Sequence, residues 1–298
     1  MNIAEKILNH ALSMGIVVLG MLSPAMGRFF GKCLGRIWFG LDKKHRSIAL
    51  DGLSHAFASE MGNHERWLMA RRVFENMATI LFEHAWFHRM DPKQYWRTFE
   101  IKGIHNFWAA HAKGKGVLCF SGHLGNWEVA TALCSIIDVP FSIVYKTISS
   151  PVLDRYIKSK RSATGGTLIP KHNAMNSLFE CLERGEAVGL VVDQNSINRK
   201  HSVFVDFFGR KASANTGLAL IAHRTKAPVV PIFIYRKNGR LCLDILPEMA
   251  MVRTGDRVHD IQVNTQAIHS LIETYIRKYP DQWLWLHNRW KTRPIDEG

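Results

Sequence analysis

Residues 117–137 read VLCFSGHLGNWEVATALCSII. The run 117–121 is short and apolar, as a buried strand is, Gly122 and Gly125 permit a tight path, and a helix is expected over 126–137. The same alternation continues along the chain. Further strands are expected at 141–146, 187–192, 228–235 and 241–246, and further helices at 151–163, 173–184 with Gly185 as C-cap, 215–226 and 263–279. The last helix carries Ile268, Leu271, Ile272, Tyr275, Ile276 and Tyr279 on one stripe before Pro280 stops it. Upstream, 64–90 reads as a scaffold helix, with Val73, Met77, Ile80, Leu81 and His84 at spacings of three and four. Short strands alternating with helices predict an α/β fold, with a largely parallel central sheet flanked by helices.

The chain has 298 residues, of which 47% are hydrophobic and 21% charged. This is ordinary globular usage and excludes a disordered chain, a collagen-like rod or a disulfide miniprotein. A mean hydropathy of -0.09 without repeated long apolar runs also excludes a polytopic membrane protein. Lys and Arg number 39 against 25 Asp and Glu, a formal charge of +14. Such a field attracts nucleic acid, an acidic protein or an anionic bilayer. The five cysteines are widely spaced and form no CxxC, so they read as reduced, cytosol-facing thiols.

Residues 11–27, ALSMGIVVLGMLSPAMG, carry no charge. The run falls short of the roughly 20 apolar residues of a spanning helix, and Pro24 interrupts it. The preferred reading is an anchor that dips into or crosses the bilayer, with the basic stretch 28–46 against anionic headgroups. A buried N-terminal helix is the alternative. The chain is accordingly divided into 1–45, anchor and basic interfacial segment, and 46–298, an α/β domain.

The strongest chemical signal is His123, leaving a strand, and Glu128, in the first turn of the helix that follows. On one unbroken helix they would stand about 140° apart. Across a strand-to-helix turn they can meet, and a carboxylate on one imidazole nitrogen leaves the other free to take a proton from an alcohol. Lys146 and Asp193 fall with His123 at strand carboxyl ends, where ligands gather in open α/β sheets. Asn126 is a candidate oxyanion donor. GxSxG, GxxxxGK[ST], GxGxxG and HExxH are absent, and no motif implies a metal or organic cofactor.

His123-Leu124-Gly125-Asn126-Trp127-Glu128, with PDQWLWLHNRWKTRP at 280–294, resembles the bacterial lipid A biosynthesis acyltransferases, the lauroyl and myristoyl transferases of Gram-negative envelopes. The likeness runs the length of the chain and includes the N-terminal anchor, Asp193-Gln194 and SVFVDFFG at 202–209. It implies a glycerolipid-acyltransferase-like fold. It also implies an enzyme on the cytoplasmic face of the bacterial inner membrane. That enzyme moves a fatty acyl group from acyl carrier protein to a hydroxyl of a 3-hydroxyacyl chain on a lipid A precursor. The family's histidine-and-carboxylate motif carries over onto His123 and Glu128, and Arg161 and Asp193 match positions near the active site. The expected mechanism has His123 as general base, Glu128 steadying the imidazolium, and Asn126, a backbone N–H or Arg161 at the oxyanion.

Arg289 and Lys291 are candidates for acceptor phosphate, with a solvated basic tail as the alternative. Trp283, Trp285 and Trp290 either brace the sheet or sit at headgroup level, and Phe204, Phe207 and Phe208 either line an acyl tunnel or form core. Two rivals stay open: a lysophospholipid or other glycolipid acyltransferase using acyl-CoA or acyl carrier protein, and a basic membrane- or nucleic-acid-binding protein. Against nucleic acid, aromatic residues are not interleaved with basic runs.

Overall fold

A computed structural model describes residues 14–87, 89–145, 147, 151, 154–155, 158, 166–171 and 174–294. Seven strands form the central sheet, in the order β1 (Phe99–Lys102), β9 (Arg240–Ile245), β8 (Val229–Lys237), β2 (Val117–Ser121), β5 (Ala187–Val191), β3 (Phe141–Tyr145) and β4 (Thr167–Pro170). Every neighbouring pair is parallel except β8 and β9. Those two are joined through Asn238-Gly239, both at positive φ (51° and 75°), as a two-residue I′ hairpin requires.

β2 sits in the middle and is apolar on both faces, which is how a parallel strand covered on both sides reads. Leu118 and Phe120 join one core with Phe74 of helix α4 (Asn63–Phe87) and Ile272 of helix α9 (Arg257–Lys278). Val117 and Cys119 join the other, with Phe107 of α5 (Ile104–His111) and Leu133 of α6 (Leu133–Ile137). From β2 the chain runs to β3, two places to one side, whereas from β5 the next sheet strand is β8, two places to the other. The loops leaving the carboxyl ends of β2 and β5 therefore diverge and open the crevice where such sheets bind ligands.

The helix expected over 126–137 is a 3-10 turn, Trp127–Ala132, followed by the short α6. Asn126 at its start makes no capping bond because its side chain is engaged elsewhere, and β-branched Val129 and Thr131 favour an α-helix weakly. α9 starts six residues before the expected 263, capped by Asp256, which accepts from Val258 and His259. The single apolar residue of its first turn, Val258, is exposed, so no apolar stripe marks it. The other expected helices appear as α7 (Ala174–Glu183) and α8 (Gly217–Thr225). The one expected at 151–163 falls mainly outside the described residues. β1, β4, α5 and the antiparallel hairpin of β6 (Ser202–Phe207) and β7 (Arg210–Asn215) were not among the expected elements.

At the N-terminus, α1 (Met14–Gly20) and α2 (Pro24–Leu41) meet at a bend of 119°. Ser23 caps α2, its Oγ accepting from Met26 N at 3.2 Å, and Pro24 takes the first helical position. α2 lies against α4 through glycines: a Cβ on Gly31 would stand 2.7 Å from Thr79 Cα, and one on Gly35 2.3 Å from Glu75 Cα. Its other face turns Phe29, Phe30, Leu34 and Ile37 outward. Among the described residues no single helix is long and apolar enough to cross a membrane, although this bent pair passes by length and composition.

Candidate active site

Ser121 pairs with Val191 at the ends of β2 and β5, so the residues that follow each strand emerge side by side. Asp193 meets His123 there, 70 positions away in sequence, with its Oδ1 2.6 Å from the ring Nδ1. Its second oxygen accepts from the backbone N of His123 at 2.8 Å and from Trp283 Nε1 at 2.6 Å. Burial, with 1% of Asp193 exposed, works to raise its pKa. The charge of the imidazole and the three N–H donors outweigh this and hold the carboxyl well below its ordinary range. An ionised Asp193 is an acceptor only, which fixes the proton on Nδ1 and leaves the Nε2 lone pair facing away. Nε2 lies 3.3 Å from the side-chain nitrogen of the exposed Gln194, and 16% of the His123 side chain remains exposed.

Two glycines make this approach possible. A Cβ on Gly122 would stand 3.2 Å from Asp193 Oδ2, so a side chain there would press on the carboxylate. Gly125 has φ +58°, and a Cβ on it would lie 2.3 Å from the carbonyl oxygen of Ile234. The C-terminal segment then clamps the loop. Gly125 N donates to Gln282 O at 2.9 Å, Leu284 N donates to His123 O at 3.1 Å, and Leu124 pairs with Trp283 as an antiparallel bridge. Farther along, Asn195 N donates to His287 Nε2 at 2.9 Å, and burial keeps His287 below the usual histidine pKa although Asp193 pulls the other way.

Such an arrangement is a general-base device with its orienting acid in place. Residues 3–292 match the family described as bacterial lipid A biosynthesis acyltransferase. The chain belongs to that family. A lipid A biosynthesis palmitoleoyltransferase of Escherichia coli is 26% identical over 275 residues, 91% of this chain and 86% of the relative. A lipid A biosynthesis lauroyltransferase of the same organism is 25% identical over 267 residues, 88% and 84% of the two chains. A phosphatidylinositol mannoside acyltransferase of Mycolicibacterium smegmatis is 25% identical over 212 residues, 70% and 67%.

In this acyltransferase the spacing of His123 and Glu128 suggested that Glu128 would take the imidazole N–H. The structure gives Nδ1 to Asp193, because β5 is the immediate neighbour of β2. Glu128 lies half-buried in the 3-10 turn that follows. Asn126, expected as an oxyanion donor, is fully buried and gives its amide N–H to Glu83 Oε2 at 2.9 Å; Arg236 holds the same carboxylate. Lys146 and Arg161 lie outside the described residues.

Arg289 does not reach solvent, so in this arrangement it meets no acceptor phosphate. One N–H donates to Ser213 O at 2.6 Å and the guanidinium lies 5.1 Å from the Phe207 ring. Burial lowers its pKa to about 10, while the charge of Asp193 raises it. Lys291 is exposed. Trp283, Trp285 and Trp290 are all buried, with Trp283 and Trp285 edge-to-face at 4.6 Å, so they brace the sheet rather than sit among headgroups. Phe207 and Phe208 belong to the same buried cluster. The sequence reading missed Trp283 as a partner of Asp193 and Gln194 as a neighbour of Nε2. A polar pair directly after a buried strand was the available signal.

Proposed function

We propose that this acyltransferase moves a fatty acyl group from acyl carrier protein to a hydroxyl of a 3-hydroxyacyl chain on a lipid A precursor, at the cytoplasmic face of a bacterial inner membrane. The carrying observation is His123, its Nδ1 on a buried Asp193 and its Nε2 turned away from that acid, beside the side-chain amide of the exposed Gln194. Nε2 takes the proton of the acceptor hydroxyl as that oxygen attacks the thioester carbonyl, and the imidazolium that forms is stabilised by Asp193. As the tetrahedral intermediate collapses, the C–S bond breaks and the thiolate takes the proton back from His123. No covalent acyl-enzyme is needed. Glu128 and Arg161 are proposed to act at the same centre, on the family resemblance alone. A charge of +14 suits an acidic carrier protein and an anionic leaflet.

The mycobacterial relative favours a second reading, acylation of a different glycolipid. Both are tested by offering lauroyl-acyl carrier protein and lauroyl-CoA to the purified full chain, with a lipid A precursor or a phosphatidylinositol mannoside as acceptor. The first reading expects transfer from the carrier protein to the lipid A precursor, and His123→Ala to lose a factor of about 10² to 10⁴. Near-normal turnover by that variant removes the mechanism; preference for the mannoside replaces the acceptor.

A further inference from the structure

A cavity of about 370 Å³, lined by neither His123 nor Asp193, opens beneath the bend between α1 and α2, closed below by α4 and by the β1 and β9 edge of the sheet. Its floor is apolar, made by Leu19, Leu22, Phe82, Trp86 and Leu241, and its rim carries Arg28, Arg97 and Arg240. The carboxylates in the lining are engaged elsewhere: Glu83 by Arg236 and Glu100 by Lys102. Among the described residues no carboxylate forms an ion pair with any of the three rim arginines. α2 also begins here, with Ser23 and Pro24 in the lining, so the positive end of an 18-residue helix points the same way. α1, the turn after it and α2 expose Val18, Met21, Met26 and Phe30.

An apolar chamber of this size is within the range of small-molecule sites. A cationic mouth beside outward-facing apolar helices suits a ligand with a hydrocarbon tail and an anionic head. We propose that this cavity binds one phosphate-headed lipid, its acyl chain on the apolar floor and its phosphate among Arg28, Arg97 and Arg240. Arginine suits this role through paired N–H donors to phosphate oxygens. Neither His123 nor Asp193 contributes, so a chain that fails to transfer acyl groups still retains the lipid. The two readings therefore fail separately.

Native mass spectrometry of the full chain, released from non-ionic detergent after titration with phosphatidylglycerol or phosphatidylcholine of identical chains, tests this. One phosphatidylglycerol should be retained per chain, with about tenfold preference, the equivalent of ~1.4 kcal/mol. Phosphatidylcholine offers the same phosphate behind a trimethylammonium that the arginines repel. Arg28→Glu with Arg240→Glu should erase the preference, and Leu22→Trp, which fills the chamber, should erase retention, with circular dichroism and the thermal midpoint measured on each variant to verify folding. As a second readout, phosphatidylglycerol with brominated chains should quench emission that Trp86→Phe removes. Equal retention of both lipids, or retention unchanged in the variants, overturns the proposal. Stabilisation by inorganic phosphate with no lipid retained also overturns it, leaving a free-anion site.

Discussion

The loop at the end of β2 and the helix pair at the N-terminus solve opposite problems. Around His123 almost every polar group is tied: Asp193 accepts three N–H donors, the backbone of the loop is bonded on both sides, and Trp283 seals the carboxylate. Around α1 and α2 apolar side chains such as Val18, Phe29 and Ile37 face outward, and among the described residues the cavity arginines form no ion pair. Catalysis by proton transfer needs a base held in one orientation. Meeting a lipid surface needs hydrophobic area and positive charge left unsatisfied by the protein itself.

Asp193→Asn attacks the tied region directly. An amide in place of the carboxylate can hold the ring in the wrong tautomer and cannot balance an imidazolium, so steady-state transfer should fall on the order of 10² to 10⁴ with the fold intact. Because the folded pKa of Asp193 lies below its unfolded value, this carboxylate contributes its full stabilisation above the unfolded pKa and loses it progressively as the pH falls toward the folded one. Urea titrations of wild type and variant should show a gap at about pH 5 that closes as the pH falls through ~4 and below. A gap that widens in acid contradicts the assignment.

Gly125→Ala tests the loop rather than the base. Strain at positive φ costs about 1 to 3 kcal/mol, and here the added methyl group also meets the Ile234 carbonyl oxygen. The midpoint of chemical denaturation should drop accordingly, and transfer should drop with it. Wild-type stability in that variant would mean the Gln282 clamp on this loop is loose.

The smallest effect on the fold belongs to the open region. Phe29→Ser with Ile37→Ser should alter unfolding stability by less than about 0.5 kcal/mol per site, as exposed substitutions do. Sedimentation with anionic vesicles should nonetheless weaken clearly. Unchanged vesicle binding would remove this face from the membrane contact, and a large loss of stability would show that the two side chains pack against protein.

Much of this was legible in residues 117–128. A short apolar run, two glycines and a polar cluster announced a strand, a turn and His123 at a strand end, because those signals depend on neighbours in sequence. The hairpin of β6 and β7 was read only as a motif, since its pairing depends on contacts such as Gln262 and Gln266 of α9 bonding to Phe204 and Asp206. Likewise the outward face of α2 was visible as hydrophobicity, but its seat against α4 depended on which residues lie opposite Gly27, Gly31 and Gly35.

Sequence alone determined that the chain alternates strands with helices, that it carries a large positive charge, and that a histidine stands where a strand ends. Tertiary structure decided which acid serves that histidine. Strand order places β5 beside β2, and order follows from how whole faces pack, so a carboxylate 70 positions away comes closer to Nδ1 than any spacing within the motif could specify.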